Sequence, residues 1–239
     1  MRFAAVGKTD IGLARKENQD NFLLLPTQGI YAVADGMGGH AGGRQASAIA
    51  IEALGQELSR LPALDRENVE AALARVNDRI LTMAKELGLE GMGTTLVLAF
   101  YQAERWQVAH IGDSRAYAIE AAGIRALTQD HSVVSELLAH GSITPEAAKV
   151  HPHRNVLTRA LGTPEDFQPD WNQAPAAAAY LLLCTDGLYK MVEEDEICRI
   201  VTAAGLSLEE KAGRLIEAAK DGGGLDNITA ILIAGEESA

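Results

Sequence analysis

The chain is poor in cysteine, in aromatic side chains and in bases, and it holds no long apolar run. Its two cysteines, Cys184 and Cys198, make no disulfide framework, and free thiols suit a reducing cytosol, so the expected location is cytoplasmic. The longest apolar stretches, such as Ala176 to Cys184, fall well short of the ~20 residues that span a bilayer. The opening MRFAAVGKTDIG carries no apolar run of signal-peptide length, so no membrane partner is expected. Lys and Arg number 21 against 33 Asp and Glu, a formal net charge of −12. Binding a phosphate backbone needs a basic footprint, so nucleic acid is not an expected partner. Aromatics are only 5%, yet hydrophobic residues reach 47%, which excludes global disorder. What remains in excess is acid, and that leaves room for a cation binder.

Apolar spacing divides the chain into strands and paired helices. Runs from Phe22 to Leu25 and from Ile30 to Ala34 flank a turn. Further strands read from Thr94 to Tyr101, Trp106 to Ile111, Arg115 to Glu120, Tyr180 to Cys184 and Ile228 to Ile233, with a hairpin turn at 121–123. Helical spacing runs from Gly42-Gly43 through Leu58, and from an Asp65 cap through Leu87. Shorter helices are expected from Ser132 to His140, from Thr144-Pro145 onward, near Glu193 to Ala204, and from Ser207 to Asp221. His151 to Trp171, with three prolines, reads as irregular. Strands joined by short turns, with helices in pairs, give antiparallel α+β layers rather than a βαβ alternation. Strands at both ends and in the middle favour a single domain over residues 1–239. No oligomer signal is present, and a monomer is expected.

One pattern recurs: an apolar strand runs out and an aspartate follows. Ile30 to Ala34 leads to Asp35-Gly36, Val108 to Gly112 leads to Asp113, and Tyr180 to Thr185 leads to Asp186-Gly187. Asp226-Asn227 opens the last strand, and Asp20 precedes the run at 22–25. Any one of these is an ordinary turn or loop cap. Together they ask for more. Carboxylates anchored at apolar strand ends are poorly solvated and repel one another unless a proton or a metal neutralises them. Arg15 and Arg115 are the main bases expected nearby. All-oxygen ligands select Mg²⁺ or Mn²⁺ rather than zinc.

The runs RKENQD from Arg15, VADGMGGH from Val33, GTT from Gly93, GDSR from Gly112, LTQDHS from Leu127, CTDGL from Cys184 and GLDNIT from Gly224 supply a further signal. In that order they resemble the motifs of the metal-dependent protein phosphatases of type 2C, in their compact bacterial form. The resemblance covers about Ala5 to Ala234. It implies an αββα four-layer sandwich, two packed antiparallel β-sheets flanked by pairs of helices. It implies a protein serine/threonine phosphatase that acts by direct attack of a metal-bridging hydroxide, with two core Mn²⁺ or Mg²⁺ ions. By position, Asp35 would bridge the two ions, Asp186 and Asp226 would complete the first site, and the Gly36 carbonyl would serve the second. Asp113 with Asp186 matches the pair that holds a third, weaker ion in bacterial relatives. Asp20 would accept hydrogen bonds from metal-bound water, and Arg15 would grip the substrate phosphate. The implied partners are phosphorylated proteins, with a bacterial-type Ser/Thr kinase and its substrates.

The chemistry asks for little else. Two adjacent divalent ions neutralise a phosphomonoester and acidify a bridging water, so no cysteine or serine nucleophile is needed. A serine or threonine alkoxide leaves poorly, so a general acid helps. His40, in a glycine-rich loop five residues after Asp35, is the candidate. Eukaryotic relatives place that histidine directly after the Asp-Gly pair, where this chain has Met37, and a loop histidine capping the next helix is the competing account. Gln19 stands where many relatives have Glu, and Gly93-Thr94-Thr95 would support the site by close strand packing. His131 reads as a loop-orienting residue. The segment at about 141–171, with His151, His153 and Arg154, matches a mobile flap beside the active site of relatives. Two other classes stay open: a regulatory pseudophosphatase, which would have lost a ligand position, and a hydrolase of small phosphoesters.

Overall fold

A computed structural model describes residues 3–163, 167–175 and 178–235, without the side chain of His40. Its strands are β1 (Phe3–Asp10), β2 (Asp20–Leu25), β3 (Ile30–Met37), β4 (Gly93–Thr94), β5 (Leu96–Gln102), β6 (Arg105–Ile111), β7 (Arg115–Glu120), β8 (Gly123–Ala126), β9 (Asp170–Pro175), β10 (Tyr180–Cys184) and β11 (Ile228–Gly235). Its helices are α1 (Gly39–Leu58), α2 (Arg66–Leu87), α3 (Val133–Ala139), α4 (Pro145–Lys149), α5 (Asp186–Tyr189), α6 (Glu194–Thr202) and α7 (Leu208–Asp221).

The strands form two sheets. One runs β1-β11-β10-β7-β8 and the other β2-β3-β5-β6-β9, with β4 beside β3. Every pairing is antiparallel. The two sheets face each other across a slab of Phe3, Tyr31, Val33, Trp106, Leu181, Leu183, Ile231 and Ile233. The scarce aromatics are concentrated there: Trp106 meets the rings of Phe3 at 4.5 Å, Tyr101 at 5.5 Å and Tyr31 at 5.8 Å. Outside, α1 and α2 pack Leu54, Leu73, Val76 and Ile80 on the second sheet, and α6 and α7 pack Ile197, Val201 and Leu215 on the first. This is the expected four-layer α+β sandwich.

Local chemistry explains most boundaries. Asp65 accepts a hydrogen bond from the Asn68 amide at 2.8 Å and starts α2. Ser207 and Glu210 close a capping box at the head of α7. Thr144 and Pro145 open α4 as expected. Helix α1 begins at Gly39, ahead of the expected Gly42, because Gly38 takes a left-handed φ of 113° and turns the chain directly out of β3. Strands β1, β8 and β9 were not read from the sequence, and the first and last show why. β9 is an edge strand ending in Pro175, which pairs only with β6. β1 is half-buried and polar at Lys8, Thr9 and Asp10, and its partner β11 lies at the far end of the sequence. The irregular segment is also stitched down in part: Leu157 bridges Ser132 and Leu161 bridges Thr94. Among the described residues, no helix is long and apolar enough to cross a membrane.

Candidate metal centre

The five aspartates gather at one end of the sandwich. Asp20 and Asp35 face each other across the β2–β3 register. On the other sheet Cys184 pairs with both Ala230 and Arg115, so the ends of β10, β11 and β7 lie side by side. That brings together Asp186 after β10, Asp226 before β11 and Asp113 before β7. Asp113 lies in the loop by which the chain crosses from one sheet to the other. One hydroxyl spans the seam: Thr185 Oγ1 donates to Asp20 Oδ2 at 2.8 Å while accepting from the Thr229 amide at 3.0 Å.

The backbone around these acids is held tightly. Thr95 Oγ1 accepts from the Asp35 amide at 2.9 Å, and Thr94 Oγ1 donates to the Asp35 carbonyl at 2.8 Å. Thr95 Oγ1 also bonds Ser114 Oγ at 2.7 Å, linking Asp35 to the loop of Asp113. The two Asp-Gly pairs are not turn pairs. Neither Gly36 nor Gly187 takes a left-handed φ. Each is glycine because another backbone lies against it: a Cβ would stand 2.0 Å from the Gly43 carbonyl oxygen at Gly36, and 2.0 Å from that of Asn227 at Gly187.

Burial sets the electrostatics. Burial first, and then Asp20, Asp186, Asp113 and Asp226, push Asp35 well above the usual carboxylate range. Asp20 is pushed up to about 7, by burial above all and then by Asp186 and Asp226, against hydrogen bonds from Thr229 and Thr185. Asp113 is pushed up to about 6 by burial and then by Asp186. Asp20 Oδ1 and Asp186 Oδ1 are buried and accept no hydrogen bond. Crowded carboxylates with bare oxygens, and no thiol or imidazole among them within the described residues, fit a hard divalent cation.

Two bases reach the cluster. Arg15 sets Nη2 2.6 Å from Asp226 Oδ2, with its side chain still 53% exposed. Asn227 fixes the loop that delivers it, donating to the carbonyls of Ile11 and Glu17 at 3.0 Å and accepting from the Gln19 amide at 2.8 Å. The second base is Lys190, whose Nζ lies 2.6 Å from Asp186 Oδ2 and 3.5 Å from Asp113 Oδ2. Burial lowers its pKa, but Asp186 and Asp113 more than reverse that, so its net shift is upward. Arg115, expected here from the sequence, does not approach these acids. It grips Asp130 through two 2.8 Å hydrogen bonds and lies 3.7 Å from the centre of the Tyr189 ring. Lys190 was missed although its spacing of four from Asp186 is the helical signal that finds it. Thr185 and Asn227 were quoted within motifs without a role. His40 stands in the first turn of α1, and its side chain lies outside the described residues.

A second polar group lies behind the Asp113 loop. His131 and His110 stack with centroids 4.6 Å apart, and His131 Nε2 faces Asp170 Oδ2 at 3.2 Å. The Gly112 amide donates to His131 Nδ1 at 3.2 Å, so in the neutral ring the proton sits on Nε2, which lies beside Asp170 without a hydrogen bond to it. A metal at Nε2 would have to displace that proton, so His131 is a brace between the Asp113 loop and β9 rather than a ligand. This agrees with its expected loop-orienting role.

Comparisons with known proteins point one way. The family model described as protein phosphatase 2C matches residues 14–220. The chain is 42% identical to the serine/threonine phosphatase stp of Listeria welshimeri over 236 residues, which cover 95% of this chain and 93% of that one. It superposes on the serine/threonine phosphatase Stp1 of Staphylococcus aureus with a TM-score of 0.92 at 33% identity, covering 99% of this chain and 96% of that one. The catalytic domain of the serine/threonine protein phosphatase PstP, in complex with two manganese ions, is similar with a TM-score of 0.86 at 34% identity, each chain covered to 98%.

Proposed function

The chain belongs to the protein phosphatase 2C family, and from that premise we propose that it is a metal-dependent protein serine/threonine phosphatase with a two-ion centre at the seam of its sheets. The observation that carries this reading is the half-buried Asp35 ringed by four further aspartates, with Asp20 Oδ1 and Asp186 Oδ1 unpartnered. Asp35, Asp186, Asp226 and the Gly36 carbonyl would hold the ions. When bound, they supply charge neutralisation and a water acidic enough to attack phosphorus.

The remaining roles fall to side chains of the chain itself. Arg15 is half exposed and can exchange part of its contact with Asp226 for two phosphate oxygens, which orients the ester. Asp20, buried and held by Thr185, accepts hydrogen bonds from water at the centre and orients it. His40 is assigned as the proton donor to the leaving oxygen. Covalent catalysis has no support: the Cys184 thiol is buried and pushed up to about 12, and Ser114 is buried and bonded to Thr95. All five aspartates are present, which favours an enzyme over a pseudophosphatase.

Manganese is favoured by the PstP relative with two manganese ions, and magnesium fits the same oxygen donors. The chain is taken as one catalytic domain over 1–239 that acts in the cytoplasm as a monomer. The segment at about 141–171, of which 164–166 lie outside the described residues, is taken as its flap, with His151, His153 and Arg154 as candidate phosphopeptide contacts. Its substrates are phosphorylated proteins, among them a bacterial-type Ser/Thr kinase and the targets of that kinase. The test is phosphate release from a phosphothreonine peptide with Mn²⁺, with EDTA, and with Asp35→Ala or Asp186→Ala. Activity that persists in EDTA, or survives both substitutions, refutes the proposal.

A further inference from the structure

The acids of the centre are not equivalent, and the difference lies in Asp186. Its Oδ1 is buried without a partner, while its Oδ2 is held by Lys190 Nζ at 2.6 Å. The same Nζ is 3.5 Å from Asp113 Oδ2. One ammonium therefore sits between two carboxylates that would otherwise face each other without a counter-charge.

Lys190 is built into this position. Its amide donates to the Asp186 carbonyl at 3.0 Å, closing the single turn that begins at Asp186. The preceding residue, Tyr189, donates its hydroxyl to the Asp113 carbonyl at 2.9 Å, under the Arg115 guanidinium. The turn is seated at its head, where Gly187 lies against Asn227 with no room for a Cβ. The side chain of Lys190 is 34% exposed, and its charge faces the acids.

We propose that Lys190 is the resident cation of the Asp113–Asp186 pair, and that this pair holds no divalent ion of its own while Lys190 is present. The inference rests on the two-ion reading above and sets its limit. A divalent ion on Asp113 and Asp186 would compete for the oxygens that Nζ already occupies, and two like charges cannot share them at contact distance. The match of this pair to a third ion, drawn from the sequence, therefore does not fit this chain. Asp186 divides its work: Oδ1 is left for a core ion, and Oδ2 is tethered by the chain's own charge.

The test counts Mn²⁺ ions on the full chain by isothermal titration calorimetry, with electron paramagnetic resonance of free Mn²⁺ as a second measure. The wild type should bind two ions. Lys190→Gln should bind a third, with at least about a tenfold lower Kd than any third event in the wild type. Adding Asp113→Asn to Lys190→Gln should return the count to two. Lys190→Met, neutral and of similar length, should behave as Lys190→Gln does, and serves if the amide does not fold. Three ions on the wild type, or two on both neutral variants, would overturn the assignment of Lys190 and leave the metal reading intact. No Mn²⁺ on the wild type would overturn both.

Discussion

Replacing Asp20 by Asn should stabilise the metal-free protein while damaging the metal-loaded one. Asp20 is buried, and its pKa is raised from 3.8 to about 7, chiefly by burial. At 1.36 kcal/mol per unit the charged form costs the empty fold up to about 4 kcal/mol. An asparagine removes that charge. Its oxygen still accepts from Thr185 Oγ1, and its NH₂ replaces the bare Oδ1 with a donor beside Asp35, its partner in register. Because the folded pKa lies above the unfolded one, the wild type in EDTA loses stability as pH rises from about 4 to about 7. Asp20→Asn should lose less over that window. In EDTA at pH 8 its melting temperature should exceed the wild type's by roughly 5–15 °C, at about 2–4 °C per kcal/mol for a chain of this size. At pH 5 the gap should shrink to about a third, because most of the wild-type carboxyl is then protonated. In saturating Mn²⁺ the order should narrow or reverse, since the ion favours the carboxylate that the variant lacks. A variant no more stable than the wild type at pH 8 in EDTA, or a gap equal at both pH values, refutes the reasoning.

Three further outcomes follow from the same geometry. Chelation should lower the melting temperature as well as abolish turnover, since an ion at 100-fold its Kd adds about 2.7 kcal/mol; an unchanged melting curve would mean the acids are paired in another way. Asn227→Ala removes the side chain that ties Ile11, Glu17 and Gln19 together, and should cost about 1–3 kcal/mol and raise the phosphopeptide KM several-fold with Mn²⁺ binding kept. An unchanged KM would show that the loop of Arg15 holds itself. Gly187→Ala sets a methyl group 2.0 Å from the Asn227 oxygen and should destabilise by at least ~3 kcal/mol, whereas Gly213→Ala, with open space inside α7, should stabilise by about 0.5–1 kcal/mol; denaturant melts that rank the two alike would contradict the packing argument.

The recurrence of aspartate at strand ends was readable because it pits burial against charge in every copy. The hairpin of β2 and β3 and the caps at Asp65 and Thr144 were readable because their signals are local. What escaped depends on distant partners. β1 is a strand because β11 offers it an edge, and β9 because β6 does. Lys190 stands where Arg115 was expected for the same reason. Arg115 starts a strand whose neighbouring loop supplies Asp130, while Lys190 rides the turn of Asp186 back over the acids. The close packing at the glycines after Asp35 and Asp186 was not legible, because nothing local reveals the foreign backbone that lies on them.

The crossing of the centre from one sheet to the other has a mechanical consequence. Asp20 and Asp35 belong to one sheet, and Asp186 and Asp226 to the ends of strands in the other. Ions held among them would act as a clasp, so that losing metal and parting the sheets would be halves of one event. The slab of Trp106, Phe3 and Tyr31 then serves as a ruler, because the thickness of that packing sets how far apart the two sets of oxygens stand. A cavity cut into the slab reaches the chemistry through spacing alone, without touching a ligand.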